Sequence, residues 1–503
     1  MFKKRLALIL ALVFVVSTML MGCGAKKDDD KDPSDSTPSS NTDQDDKKEK
    51  PVQLTWYTIG TPQNDAEVVE EELNKYLLEK INATIDIKML DWGEYDPKMQ
   101  VKIGSGEKFD IMFSSSWANN FAANVSKGAL LPLDDLLDEY GQGIKDNLHP
   151  LFLEGASIGG EVYGLPTNKE LGWQAMWIIN KDLADKYDMD ISKINTLESL
   201  EPYLEIIKEN EPDVIPLTLD KLAAPYIPNI DDFLGASLPF GIKFDDAAKI
   251  VNTYETEEAM GIFETMHRYY EKGYVHPDAA INTVGDYNKA GNYFVTKAHY
   301  QPYAEIIWHD GDFSSTEIAV MPVHEPYANN SSTRGAMQGI SITSEHPEKA
   351  MEFLNLLYTD EYVINLIIYG IEGVHYNKVS ETNLAKTEQA KTAYQFPGFS
   401  VGNSFNTYSL EGTPDDKWEK FEEFNNSSIN APSLGFTPDL SSIKTTMSAI
   451  TNVAEEVNAS IYLGAVDPAE YVPKAIEKFK AAGIDDAIAE LQKQYDEWLK
   501  SQE

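Results

Sequence analysis

The hydrophobic pattern divides the chain before any other property does. Nearly every position in 6–20 is apolar, almost none is in 24–50, and from Val52 onward periodic segments take over. Residues 52–59 (VQLTWYTI) read as an apolar-rich strand ended by Gly60. Residues 65–80 come next, with Val69, Leu73, Tyr76 and Leu77 at helical spacing. The alternation over 83–89 predicts a second strand, 98–103 a short helix, and 109–113 a third strand. Strand and helix in alternation predict an α/β sheet with helices on its faces. Ligands of such sheets bind beyond the carboxyl ends of the strands, which here means residues 58–64 and 114–120. Later segments are helix-rich. Pro347 opens a helix that places Ala350, Phe353, Leu354, Leu357 and Tyr358 on one face. Near the end, Ile484, Ile488, Leu491, Tyr495 and Trp498 form a stripe, with Asp485 and Asp486 in the first turn and Lys500 near the last, as the helix dipole favours. That stripe is expected in the core.

The apolar run at 6–20 comes after Lys3, Lys4 and Arg5 and is shorter than the ~20 residues a spanning helix needs. With Gly22 at its end it reads as a secretory signal over 1–22. Cys23 is the only cysteine in the chain, so no internal disulfide can form. Its place after Leu20, Met21 and Gly22 resembles a bacterial lipobox, in which the thiol receives a diacylglycerol. Two acyl chains are what stable anchoring to a bilayer requires. Residues 23–50 lack the apolar surface needed to offset chain entropy and are expected to be a disordered tether about 30 Å from end to end.

Composition narrows the function classes. A formal charge of −40 over 503 residues repels nucleic acid and anionic headgroups, so neither is an expected partner. Residues 51–503 exceed one ordinary core and predict at least two lobes. Two motifs suggest chemistry and fail in context. Residues 155–159 (GASIG) fit a nucleophile elbow, but residues 160–166 read as a turn and an extended segment rather than the required helix. Residues 188–192 (DMDIS) begin like a calcium loop, yet Lys193 and Ser199 occupy the places where glycine and glutamate belong. The eight histidines lack metal-ligand spacing. No cofactor and no metal is expected, and no pair among the 82 acidic residues stands out as a hydrolytic pair.

Aromatic residues outside helical stripes carry more information. Trp117 lies in SSSWANN, just past a predicted strand end, and it and Asn119 are candidate ligand contacts. Trp173, Tyr303 and Trp308 sit in mixed polar surroundings. An aromatic face packs on the C–H face of a pyranose while amides and carboxylates take its hydroxyls, the mix of apolar wall and placed polar groups found in ligand sites.

The stretches 109–113 (FDIMF) with Trp117, 128–137 (GALLPLDDLL), 161–166 (EVYGLP) with 176–183 (MWIINKDL), and 335–342 (GAMQGISI) with 347–354 (PEKAMEFL) resemble, in this order, the carbohydrate-type extracellular solute-binding proteins of ABC importers. Residues 369–376 (YGIEGVHY), 432–436 (PSLGF) and 463–468 (LGAVDP) are similar to a lipoprotein subfamily of Gram-positive bacteria whose C-terminal region has no assigned role. The resemblance implies a two-lobed α/β fold of the type II, maltose-binding-protein-like kind, with three interlobe crossings and a helix-rich C-terminal part. It implies a first lobe of 51–168 plus 336–371 and a second of 172–333 plus 372–503. It implies a monomer on the outer face of the cell membrane that hands a sugar or oligosaccharide to an ABC permease. By the same resemblance Trp117 matches the sugar-facing aromatic that comes after the DIxF strand. Tyr303 takes the place of a stacking tryptophan in the second lobe, and Glu170 and Trp173 lie on the first crossing. Asp220, Tyr226, Arg334 and Phe436 are further candidates by region. A peptide-binding or sensory lipoprotein, or a surface enzyme acting on glycans, are the alternatives that the residues leave open.

The lipobox generates a direct expectation. Cys23→Ser should appear in the medium or remain unprocessed while the wild type fractionates with membranes. Undiminished membrane retention of the serine variant would overturn the anchor.

Overall fold

The computed structural model describes residues 50–502 apart from 221–223 and 282–284. The signal segment, Cys23 and residues 23–49 of the expected tether lie outside these residues. Among the described residues no helix is long and apolar enough to cross a membrane.

The first lobe grows from the alternation of strand and helix at its start. Strand Val52–Ile59 pairs in parallel with Ala83–Leu90 along its whole length and with Ile111–Ser114 on its other side. Met337–Ile340 adds antiparallel to Ile111–Ser114, and Leu165–Pro166 closes the five-stranded sheet. Helix Ala66–Ile81 buries Val69, Leu73 and Leu77, one residue per turn on one face, and stops at Asn82, whose φ of 50° turns the chain out of the helix. Strand Val52–Ile59 delivers Trp56, fully buried, whose indole N–H donates to Gln338 Oε1 at 2.9 Å. That amide in turn donates to the Ser400 carbonyl at 2.8 Å. A fully buried indole needs such an acceptor.

The second lobe is a mixed four-stranded sheet ordered Ile318–Pro322, Ala175–Asn180, Tyr293–His299, Ile215–Leu217. Helix Glu257–Glu271 and the three C-terminal helices Lys444–Tyr462, Pro468–Ala481 and Ile484–Gln502 pack into one core with it. The predicted stripe behaves as expected: Ile484, Leu491 and Tyr495 are fully buried, and Ile488 and Trp498 cover the same core from its edge.

Three segments run side by side between the lobes. Trp173 and Tyr327 exchange backbone hydrogen bonds at 2.7 and 3.1 Å, and Tyr327–Ala328 pairs in parallel with Ile429–Asn430. The resemblance puts the third crossing at 371/372 and gives 372–410 to the second lobe, whereas the segment beside the second crossing in the structure is Ile429–Asn430. Residues 372–410 stay with the first lobe, where Tyr394, Phe396 and Val401 enter its core and Asp65 N–H donates to the Ala393 carbonyl at 3.1 Å. Those apolar residues fall in an irregular stretch with no period, which leaves nothing in the pattern to attach them to either lobe.

The two rejected motifs are explained by local geometry. Ser157 sits on a tight hairpin, Ser157–Ile158 against Glu161–Val162, with its hydroxyl donating to the Leu153 carbonyl at 2.8 Å. Asp190 accepts from Ser192 and pairs with Lys193 at 3.0 Å, a turn closed by its own side chains.

The buried amide of Asn425 holds the first and third crossings together, accepting from Leu171 N–H at 2.8 Å and donating to the Lys169 carbonyl at 2.9 Å. Asn425→Ala strands both groups away from water and should lower unfolding stability by about 1–3 kcal/mol. Denaturant titration checks this, and an unchanged midpoint would remove the clamp from the account.

Candidate functional site

The crossings set one wall of a cavity of about 730 Å³ on the side of the second lobe. Trp173 from the first crossing, Tyr327 from the second and Tyr226 line it, and they stack on one another and on His324. Ring centroids lie 4.8 Å apart for Trp173 and His324 and 4.2 Å for Tyr226 and His324, both nearly parallel, and 5.4 Å for Trp173 and Tyr327. His324 is fixed on both nitrogens: Nδ1–H donates to the Glu325 carbonyl at 2.7 Å and Nε2 accepts from Ala175 N–H at 3.0 Å. Burial pushes this imidazole down to about 4, so it is neutral at physiological pH.

The polar side of the cavity carries Asp232, Lys297 and Glu455. Burial, helped by the charge of Asp231, pushes the Asp232 carboxyl up to about 7. Burial likewise pulls the Lys297 ammonium down to about 8, against the opposing effect of Asp232. The phenol of Tyr226 is held well above its ordinary range by burial first and by Asp232 and Asp231 after it. The third wall is helix Lys444–Tyr462, which contributes Thr451, Glu455, Asn458 and Tyr462.

A second aromatic surface belongs to the first lobe. Trp117 is 51% exposed, Trp92 45% and Phe399 43%. Trp92 stacks on Trp117 and on Phe399, each at 6.2 Å and within 23° of parallel. Trp92 and Trp117 both lie just past the carboxyl ends of parallel strands, Ala83–Leu90 and Ile111–Ser114, where α/β sheets bind ligands. The indole N–H of Trp117 donates to the Gly335 carbonyl at 2.7 Å. Gly335 lies four residues from Ser331, which lines the cavity, so the second crossing runs from one aromatic surface toward the other.

The structure distributes the predicted site residues unevenly. Trp173 and Tyr226 line the cavity, and Trp117 stands on the exposed surface of the first lobe. Glu170 is ion-paired with Lys169 on the first crossing, next to the cavity wall rather than in it. Tyr303 donates its hydroxyl to Asp416 at 2.6 Å and does not line the cavity. Trp308 covers the small cluster of Ile178, Tyr293 and Phe313, and Asp220 is buried past strand Ile215–Leu217, both away from the cavity. Three assignments are corrected outright. Asn119 is buried with φ at 45° and spends its amide on the Phe113 carbonyl and on Asn124. Arg334 is buried, donating to the Gly155 and Ser157 carbonyls and to Thr437. Phe436 is core, packed on Tyr495 and Trp498. In each case a polar or aromatic residue in a loop satisfies the protein's own backbone or packing instead of a ligand. Trp92, Asp232, Lys297, His324 and Glu455 are new. The strand-end rule that singles out Trp117 also reaches Trp92, whereas no local signal marks the other four. Among the described residues no group of three or more His, Cys, Asp or Glu is placed to hold a metal.

Comparison with known proteins agrees with this architecture. A family model described as bacterial extracellular solute-binding protein matches residues 62–364, and a domain of unknown function matches 432–500. A carbohydrate ABC transporter substrate-binding protein of Streptococcus pneumoniae is 31% identical over 99% of both chains. The crystal structure of an N-glycan transport solute binding protein from Streptococcus pneumoniae aligns with a TM-score of 0.83 at 31% identity, covering 90% of this chain and 100% of that one. The same protein in complex with Man5GlcNAc aligns with a TM-score of 0.68 at 31% identity, over 90% and 99% of the two chains.

The fixed, neutral imidazole of His324 gives a pH dependence of known sign. In the unfolded chain it takes up a proton near its ordinary value of 6.5, in the folded chain only near 4. Between those values the unfolded state binds more protons, so stability falls as pH falls. His324→Gln lacks this loss and should gain on the wild type between pH 6.5 and 4. Denaturant titrations of both proteins across that window check it; parallel curves would contradict it.

Proposed function

The chain belongs to the bacterial extracellular solute-binding protein family, and from that premise we propose that it is the lipid-anchored receptor that captures an oligosaccharide outside the cell for an ABC importer. The observation that carries the reading is the pair of aromatic surfaces flanking the crossings: Trp92, Trp117 and Phe399 on one lobe, Trp173, Tyr226 and Tyr327 at the cavity of the other. Large aromatic rings beside placed carboxylates and amides suit a ligand with apolar C–H faces and a rim of hydroxyls. Ligand held by both surfaces favours whichever arrangement brings them together, and only such differential affinity can drive a conformational change. The drop in TM-score from 0.83 to 0.68 between two structures of one relative supports lobes that move about the crossings.

The protein acts by binding and release rather than by turnover. Its relatives are binding proteins of ABC transporters, which supports this reading. Attachment through Cys23 rests on the lipobox and would leave the folded body on a tether at the outer face of the membrane.

Titration calorimetry with mannose and N-acetylglucosamine oligosaccharides tests the reading. Trp117→Ala and Trp173→Ala should each weaken binding by about 1–3 kcal/mol, the contribution of one large aromatic surface. A loss of about 1.4 kcal/mol is tenfold in affinity. Because Trp117 is half exposed, its alanine variant should melt as the wild type does. Unchanged affinity in both variants would remove the aromatic surfaces from the binding site.

A further inference from the structure

The C-terminal region that matches a domain of unknown function supplies one whole wall of the cavity. In helix Lys444–Tyr462 the cavity-lining residues Thr451, Glu455, Asn458 and Tyr462 recur at spacings of 4, 3 and 4, a single stripe. Ile450, Val457 and Ile461 turn the other way, into the core. The helix also fixes what stands across from it. Asn458 accepts from the Tyr254 hydroxyl at 2.8 Å and donates to the Ser237 carbonyl at 2.8 Å, and Ser237 also lines the cavity. Asn458 is therefore occupied by the protein. Glu455 is not: it is exposed and, among the described residues, has neither an ion pair nor a hydrogen bond. The next residue makes the contrast, since Glu456 pairs with Lys478 at 2.6 Å on the outer surface.

The charged groups lining the cavity are Asp232, Lys297 and Glu455. Lys297 acts on Asp232, which also feels the Asp231 carboxyl beside it, whereas the Glu455 carboxylate lines the cavity with no cation paired to it among the described residues. A carboxylate in that position accepts hydrogen bonds from sugar hydroxyls and repels a sugar that carries its own carboxylate. We propose that the C-terminal region is the selectivity wall of this cavity, and that Glu455 is the residue that restricts the ligand to neutral glycans and rejects uronic and other anionic sugars. The inference rests on the sugar-binding reading given above and adds to it the class of sugar.

A matched pair of probes tests it: the mannose–N-acetylglucosamine disaccharide, and the same disaccharide with mannuronic acid in place of mannose, which differs only by a carboxylate at C6. The wild-type protein should prefer the neutral probe by a hundredfold or more in titration calorimetry. Glu455→Gln removes the charge from an exposed position and should shrink that preference at least tenfold, with an unchanged melting temperature as the control for folding. Equal affinity of the wild type for both probes, or a Glu455→Gln preference equal to the wild type's, would overturn the selectivity wall while leaving sugar binding intact. Binding of neither probe to the wild type would overturn the sugar-binding reading and this inference with it.

Discussion

Three stretches of backbone leave one lobe and enter the other, and their peptide groups must find partners where no helix or broad sheet is at hand. A buried N–H or C=O without a partner costs on the order of 1–3 kcal/mol, so the crossings can exist only laced to one another. Trp173 and Tyr327 supply the first lacing through their backbones, and Tyr327–Ala328 with Ile429–Asn430 the second. Side-chain amides finish the work. Asn425 serves Leu171 and Lys169, and Asn330 serves the Ser433, Gly435 and Phe436 backbone. Gly172 explains the spacing: a Cβ there would run into Ser428 of the third crossing and Pro326 of the second. The cavity, the aromatic stack and the reach of the C-terminal helix all depend on this one tight bundle.

The bundle also accounts for the electrostatics of the site. His324 belongs to the strip of chain that enters the second crossing, and its ring accepts the N–H of Ala175, the first residue of strand Ala175–Asn180. Burial keeps the imidazole neutral, and its free nitrogen is thereby able to accept that backbone hydrogen bond while the ring stacks as an aromatic. Asp232 and Lys297 pull each other toward ionisation while burial pulls both away from it. The site's net character is then decided by the group that no neighbour compensates.

Much of the architecture was legible in the sequence because periodic burial writes itself into the pattern. Val69, Leu73 and Leu77 announce a helix packed on a sheet, and Ile484, Leu491 and Tyr495 announce another packed on a second core. The third crossing was not legible, since Tyr394, Phe396 and Val401 are core residues of an irregular segment and carry no period. Site residues divide along a similar line. A strand end is visible in sequence, so the position of Trp117 past one is legible there, and that of Trp92 equally so. A residue that faces a cavity because a distant helix lies across it, as Glu455 does, is visible only when the chain is folded. The same holds for residues wrongly drawn to the site: Arg334 and Asn119 are polar residues in loops, and only the fold reveals that carbonyls of their own chain consume their donors.

The hydrogen bond from the Trp117 indole to the Gly335 carbonyl ties a ring on the surface of one lobe to the backbone that joins the two. Such a ring has lost one of its rotational freedoms to the linkage between the lobes. Its tilt is set by the crossing, and any torsion at Gly335 either carries the ring along or breaks the bond. Platform orientation is thereby tied to the conformation of the second crossing for as long as the bond holds. On the proposed binding role, a ligand lying flat on the ring would be one hydrogen bond away from the backbone that joins the two lobes.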